Sequence, residues 1–317
     1  MTTPDAESRA GRNAEATEAP AESAPGSGDT PGTSVLALVA GVATVVMWAS
    51  AFIGIRVAVD DLTPGALALA RLLIGSIGLG TVVAFRRSRL PRRADMPRLL
   101  VCGVLLFGVY NVALNSAEQR IDAGTASMVI ALGPVILAVL AGFLLKEGFP
   151  RPLLIGGALA FSGVLLIGLA TSQEGLRASL GTLLALAAAA AYAGGVIAQK
   201  PLLRDNSALV ITWLACLIGS VLCLPFLPQL LDGLAAADTT TIGWTLYLGI
   251  FPTAVAFTTW GYALARSTAG RTGALVYLSP PIAVCLAWLV LDEVPPWLAV
   301  VGGVLALAGV SFSRRSA

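Results

Sequence analysis

With 56% of its 317 residues apolar, only 12% charged and a mean hydropathy of +0.84, the chain carries more apolar surface than a soluble fold can hide. Its formal net charge of +2 lies in loops, and with no basic surface or nucleic-acid motif, nucleic acid is excluded as a partner class. The complete absence of histidine removes the commonest metal ligand and proton relay, and no cofactor motif takes its place.

Residues 1–33 differ in kind from the rest. They are Ala, Glu, Ser, Pro, Gly and Thr, with acids such as Glu15, Glu18 and Glu22 and almost no large apolar side chain. Such a segment cannot bury enough surface to order itself, and a disordered cytoplasmic tail is expected. It has neither a basic start nor an apolar centre, so it is not read as a signal peptide.

Apolar runs of about twenty residues then recur, each long enough to cross roughly 30 Å of hydrocarbon. The first five are Val35–Ala58, Thr63–Phe85, Leu99–Gln119, Ala123–Lys146 and Pro152–Ala170. Glu118, Gln119, Arg120 and Asp122 interrupt what would otherwise be one long helix, because those groups need water at an interface. Five more follow: Leu180–Gln199, Ala208–Pro228, Ile242–Leu264, Thr268–Leu291 and Trp297–Phe312. The expectation is an all-α membrane protein of ten transmembrane helices, with five-helix units at 34–171 and 172–317. Cys102, Cys216, Cys223 and Cys285 all lie in apolar runs, where thiols act as small hydrophobes, and no disulfide framework is expected.

The two units repeat one another. Displacing the chain by about 146 positions lays Arg120–Val164 on Arg266–Val310 with about seventeen identities in about forty-five positions. Pro134 falls on Pro280, Glu147 on Glu293, Pro150 on Pro296, Gly156-Gly157 on Gly302-Gly303, and Gly163 on Gly309. A fainter match in the front halves lays Trp48 through Arg56 on Tyr192 through Lys200, and Leu73-Ile74-Gly75-Ser76 on Leu217-Ile218-Gly219-Ser220. Five helices is an odd number, so the copies must enter the bilayer from opposite sides, as an inverted repeat with a solute path between the halves.

Arginine sets the orientation. Arg86, Arg87, Arg89, Arg92, Arg93 and Arg98 share one loop, and alternation puts Lys146, Arg151, Lys200, Arg204, Arg266, Arg271, Arg314 and Arg315 on the same side. The opposite loops are mostly acidic, with Asp60, Asp61, Glu118, Asp122, Glu174, Asp232, Asp238, Asp292 and Glu293. The positive-inside rule then places both termini in the cytoplasm of a cell-membrane protein.

Trp48-Ala49-Ser50-Ala51-Phe52 with Arg56, Pro64 with Arg71, and the Pro134/Glu147 and Pro280/Glu293 spacings with their following glycines resemble the drug/metabolite transporter superfamily, in particular its EamA-type ten-helix permeases. The resemblance covers nearly everything after the tail. It implies a cavity lined mainly by the first, third, fourth, sixth, eighth and ninth helices, and export driven by an ion or solute gradient. It leaves the substrate open among amino acids, metabolites, nucleotide precursors and drugs.

Polar groups inside helices are the functional candidates. Polar-tipped aromatics and one amide on the converging helices (Trp48, Tyr110, Asn111, Tyr192, Trp260 and Tyr277) are expected to line the solute path. The bland alternatives are helix packing, interhelical hydrogen bonds for Asn111 and Asn115, and interfacial anchoring for Trp260. Arg71 is read either as a gating charge or as a structural cation snorkelling to an interface, and the resemblance, in which this Arg is general, favours structure. Glu118 is either its acidic partner and a proton site, or a solvated interfacial carboxylate. Pro134 and Pro280, with Pro281, interrupt the central helices of the two halves and are assigned to gating. Glu147 and Glu293, at unfavourable helix C-terminal positions, are read as structural.

No HExxH, nucleophile elbow or clustered acidic metal site occurs, and no GxxxxGK[ST], so an intramembrane enzyme or a nucleotide-driven pump is disfavoured. The expectation is a non-enzymatic secondary transporter exporting a small organic solute, with an uptake permease of the same fold as the alternative. Partner classes are that solute, the lipid bilayer and, left open, a second copy of the chain in a homodimer.

Overall fold

The computed structural model describes residues 31–144, 151–173, 175–266 and 275–313, and these are helical with no strand among them. Six helical stretches are long and apolar enough to cross a membrane: Val35–Ala58, Pro64–Phe85, Arg93–Glu118, Leu176–Leu202, Ala208–Ala236 and Thr239–Arg266. Four shorter apolar helices cover Ala123–Leu137, Ile155–Ala170, Val276–Leu291 and Trp297–Gly309. Large apolar side chains face outward along them, among them Phe85, Phe143, Phe161, Trp288 and Leu289. A surface of that kind needs lipid rather than water around it.

Helix α1 (Pro31–Ala58) begins inside the stretch expected to be tail. Its proline start is compatible with helix because the first turn has no use for the missing N–H. Helix α2 (Pro64–Phe85) starts the same way, with Thr63 as N-cap accepting from the Ala66 N–H. The third span is α3 (Met96–Cys102), a π-helical turn at Gly103–Val109, and α4 (Tyr110–Glu118). The fourth is broken into α5 (Ala123–Ile130) and α6 (Gly133–Leu144), followed by α7 (Arg151–Gln173).

The second unit runs α8 (Leu176–Leu202), α9 (Ala208–Cys223) and, past a 3-10 turn, α10 (Leu227–Ala236). The seventh apolar run therefore continues as helix beyond the expected end at Pro228. Then come α11 (Thr239–Leu248), a π-helical turn at Gly249–Val255, and α12 (Ala256–Arg266). A 3-10 turn at Val276–Leu278 leads into α13 (Ser279–Leu291), and α14 (Trp297–Ser313) closes the described chain.

Irregularities fall at matching places in the two units. Both π turns are seven residues long and start at Gly103 and Gly249, which the repeat offset superposes. Both central helices restart just before a proline: Pro134 is the second residue of α6 and Pro280 the second of α13. Each proline sits where its absent N–H removes no helical bond, so it marks the restart of a broken helix rather than a bend in a continuous one.

Contacts between the units are exchanged in pairs. A Cβ placed on Gly163 would strike the Gly302 carbonyl, and one on Gly309 would strike the Gly156 carbonyl. Under the sequence repeat, Gly163 and Gly309 are equivalent, as are Gly156 and Gly302, so these are one contact written twice. The pairs also run in opposite senses along α7 and α14, which therefore pack antiparallel, backbone against backbone, through glycine faces. The same exchange holds Gly103 against Ile218 and Gly249 against Ile74. Ser76 and Ser220, equivalent positions, hydrogen-bond to each other at 3.3 Å.

Three of the four cysteines (Cys102, Cys216 and Cys223) are buried, Cys285 is exposed on an apolar helix, and all four are free thiols. Glu147 and its surroundings lie outside the described residues.

Candidate functional site

Aromatic side chains from both units meet at the centre of the bundle. Trp48 touches Tyr192 edge-on at 6.1 Å, Phe257 at 5.1 Å and Trp260 at 5.0 Å between ring centroids. Tyr110 adds a tilted contact with Tyr192 at 6.1 Å. Trp48 is oriented by its Nε1, which donates to the Pro252 carbonyl at 3.2 Å in the second π turn. A break in the backbone ladder thus supplies the acceptor that a buried indole N–H needs.

Two small cavities flank this cluster. One is walled by Trp48, Phe52, Tyr110, Tyr192 and, from the two helix breaks, Ser127, Ile130, Ala131, Val276 and Ser279. The other is walled by Trp48, Ala51, Phe52, Ile55, Arg71, Tyr110, Leu114 and Phe257. They hold only about 20 and 10 Å³ of free space, so the centre is closed to anything larger than water. Both helix breaks contribute walls to the first of these cavities.

Arg71 enters from α2 and is 2% exposed. Its Nε donates to Thr253 Oγ1 at 3.0 Å, while Nη1 is buried without a partner. Asn111 and Asn115 are fully buried on α4. Asn111 Nδ2 donates to the Phe107 carbonyl at 2.7 Å, filling an acceptor in the first π turn, and Asn115 Nδ2 donates to the Pro64 carbonyl at 3.0 Å, tying α4 to the start of α2. Glu118 is also fully buried, with no hydrogen-bond partner for either carboxylate oxygen among the described residues. It is therefore not the solvated interfacial acid that its neighbours in sequence suggest.

Above this layer a polar vestibule of about 770 Å³ opens at one end of the bundle, lined by residues that include Arg56, Asp60, Gln119, Arg120, Asp122, Arg177 and Glu293. At its base Arg56 Nε donates to Glu293 Oε1 at 2.7 Å. The other carboxylate oxygen of Glu293 accepts from the Ala123 N–H at 3.3 Å, at the start of α5. Glu293 thereby joins α1 and α5 of one unit to the end of α13 of the other. On α1, Arg56 of the vestibule lining directly follows Ile55, a wall of the second cavity.

Of the residues expected along the path, the structure brings Trp48, Tyr110 and Tyr192 onto shared cavity walls. Trp260 packs against Trp48 and is 2% exposed, which removes the interfacial-anchor reading. Asn111 turns to its own helix backbone, and Tyr277 packs beside Leu132, Val135 and Val164, while its neighbours Val276 and Ser279 form the wall. Ser127 and Phe257 carry no signal in the sequence, and although Phe52 and Arg56 belong to the family motif and Glu293 to the repeat, neither the cavity role of Phe52 nor the pairing of Arg56 with Glu293 is expected from them. The signal for Phe52 was its place four residues after Trp48 on one helical face.

The architecture is that of a multi-pass helical membrane protein with a closed central cavity between two related units. The profile of the EamA-like transporter family matches residues 35–169 and again 179–315, so the chain belongs to that family. A probable terminal-alkyne amino-acid exporter of Streptantibioticus cattleyicolor is 40% identical over 276 residues, covering 86% of this chain and 92% of that protein. A probable amino-acid metabolite efflux pump of Salmonella typhimurium is 30% identical over 278 residues, covering 84% and 90%. A crystal structure 20% identical in sequence superposes with a TM-score of 0.60 over 87% of this chain and 95% of its own, a likeness of fold alone.

Proposed function

We propose that this transporter is an exporter of a small organic solute, built as ten spans in two inverted five-helix repeats and working by alternating access in the cell membrane. The observation that carries the reading is the pairwise exchange of contacts: Gly163 with Gly302 and Gly309 with Gly156, in an antiparallel helix pair. Equivalent residues that swap partners are what a two-fold relation between the repeats requires, and an antiparallel pair requires that axis to lie in the membrane plane. The cavity at the two helix breaks is the solute site, and the vestibule is its external mouth.

Export as the direction is supported by the relatives, an exporter and an efflux pump by name, and the arginine-rich loop after α2 supports cytoplasmic termini. Glu118 is the coupling site for protons, and the Arg56–Glu293 pair closes the outer side.

The deciding experiment is flux in proteoliposomes of known orientation, with a panel of radiolabelled neutral amino acids, with and without a proton gradient. Gradient-driven movement toward the vestibule side is expected for at least one of them. Movement of none, or movement only away from the vestibule side, would remove the exporter reading. Cysteine labelling at positions 89 and 316 from the cytoplasm, and at 61 and 292 from outside, is the matching topology result. Labelling of 89 and 316 from opposite sides would end the ten-span reading.

A further inference from the structure

Arg71 lies about 10 Å into α2 at about 1.5 Å of rise per residue, well below the helix end, with its side chain enclosed. Snorkelling would leave the guanidinium in contact with water, and it is not. It is not an ion-paired strut either, because no carboxylate lies within 4 Å of it among the described residues. Its hydrogen bond runs to a hydroxyl, Thr253 Oγ1. That hydroxyl donates in turn to the Leu248 carbonyl at 2.8 Å, beside the backbone bond that Pro252 cannot make, so its lone pair is held toward Arg71.

The guanidinium is therefore positioned through Nε while Nη1 remains buried and unsatisfied. Glu118 acts on the guanidinium only through space, with no hydrogen bond or contact within 4 Å among the described residues, so it does not satisfy that donor. A buried cationic donor left without an acceptor is costly, and a fold that keeps one has placed it for an anion that arrives later. Around it stand Trp48, Phe52, Ile55, Leu114, Phe257 and the single hydroxyl-bearing wall Tyr110, a mostly apolar lining that favours an aliphatic or aromatic body over a second charge. A planar fork of N–H donors matches a carboxylate better than any other small anion that carries an apolar tail.

From this geometry we infer that Arg71 is the carboxylate anchor of the solute site, and that the exported solute is a small carboxylate with an apolar side chain. The inference rests on the transporter reading above and narrows it. Neutral amino acids and short-chain organic acids fall within the class. Amines and uncharged drugs fall outside it.

The test is calorimetric binding to the full chain in nanodiscs, with four probes sharing one isobutyl group: L-leucine, 4-methylpentanoate, L-leucinamide and isopentylamine. L-leucine and 4-methylpentanoate are expected to bind at least about ten-fold more tightly than the two probes without a carboxylate. Arg71→Lys, which keeps the charge and loses the fork, is expected to weaken the two carboxylates about ten-fold or more and leave the others unmoved. Ligand-free Arg71→Leu is expected to melt no lower than the parent, since it removes a buried donor that has no acceptor.

Equal binding of leucine and leucinamide by the unaltered chain, or binding of none of the four, overturns the proposal without any variant having to fold. A lower melting point in Arg71→Leu with unchanged leucine affinity in Arg71→Lys makes Arg71 a packing residue and overturns it as well. Parallel flux separates the two readings. Vesicles that move leucinamide as readily as leucine keep the transporter and lose the anchor, whereas carboxylate-selective binding without flux keeps the anchor and loses the transporter.

Discussion

Trp48 and Tyr192 meet edge-on with their ring planes at 88°, and they occupy the same position in the two copies of the repeat. On the inverted-repeat reading, the local two-fold axis passes through that contact, as it does through the Ser76–Ser220 hydrogen bond. Residues on such an axis face their own counterparts in every state related by exchanging the halves, so on the proposed alternating-access reading their contact is the pivot about which the cavity opens to either side.

That position predicts a sharp split among substitutions. Tyr192→Phe keeps the ring contact and is expected to hold flux within about two-fold of the parent, a change of under about 1 kcal/mol. Tyr192→Ala removes it and is expected to lower flux at least about ten-fold. Its melting point should fall less than that of Trp260→Ala, where loss of a large, fully packed ring costs about 3–5 kcal/mol. Exchange flux and melting, measured on the same preparations, check this. Equal flux in Tyr192→Ala and the parent would place the pivot elsewhere.

The α7–α14 seam predicts stability rather than activity. A leucine at Gly163 meets the Gly302 carbonyl and the Ala306 backbone, which cannot swing aside as a flexible side chain would. Gly163→Leu is therefore expected to cost at least about 3 kcal/mol, and Gly309→Leu the same, because it meets the equivalent backbone in the other copy. Gly168→Leu on the same helix is the control, since a Cβ there meets nothing within 4 Å. Monodisperse yield after extraction orders the three. A Gly168 variant as poor as the other two would refute the seam.

Asp122, in the turn before α5, carries a pH dependence with a definite sign. Its Oδ1 accepts from the Thr125 N–H at 2.8 Å as an N-cap. Burial nonetheless pushes its carboxyl above the usual range, against the opposing Thr125 hydrogen bonds and with nearby Glu293 adding to the rise. An acid whose folded value exceeds its unfolded one subtracts from stability when ionised. The penalty is full above the folded value and disappears as pH falls toward the unfolded one. Asp122→Asn keeps an equally good cap without the charge, so at neutral pH it should be at least as stable as the parent and should lose the parent's relative gain on mild acidification. Asp122→Ala should cost about 1 kcal/mol through loss of the cap. Melting across pH 4 to about 8 distinguishes the three proteins.

Much of this could be read before any coordinates. Apolar runs and the proline and glycine punctuation are local or periodic signals, and they located the apolar helices and the interruptions at Pro134 and Pro280, which are expected as gating prolines and stand in the structure at helix restarts. What escaped was set by distant neighbours. Arg56 and Glu293 are 237 positions apart, and nothing near either one announces their ion pair. The π turns at Gly103–Val109 and Gly249–Val255 have no compositional mark, although they decide which faces Tyr110 and Thr253 present. Glu118 follows polar residues and precedes a loop, so its neighbours suggest solvent, whereas its burial is decided by the helices packed around it.

Glu118 carries the last prediction. On α4 it stands one turn beyond Leu114, a cavity wall, and immediately before Gln119, a vestibule wall, so it sits in the layer between the two. The charges that act on it are Arg56, Arg71, Glu293 and Asp122. The nearest claim on Arg56 is already taken by Glu293 at 2.7 Å, and among the described residues no cation comes within 4 Å of Glu118 itself. A dry carboxylate with two unsatisfied oxygens is tolerated only when it takes up a proton or recovers a counter-ion. On the alternating-access reading, opening the vestibule separates Arg56 from Glu293 and hydrates Glu118, which then exchanges its proton with the outside. Glu118→Gln imitates the protonated form permanently. It is expected to abolish uphill flux driven by a pH gradient while solute exchange at equal pH continues within about three-fold of the parent, a difference below about 1 kcal/mol. Undiminished pH-driven flux in that variant would mean that the coupling ion is held elsewhere, by carbonyls at the helix breaks.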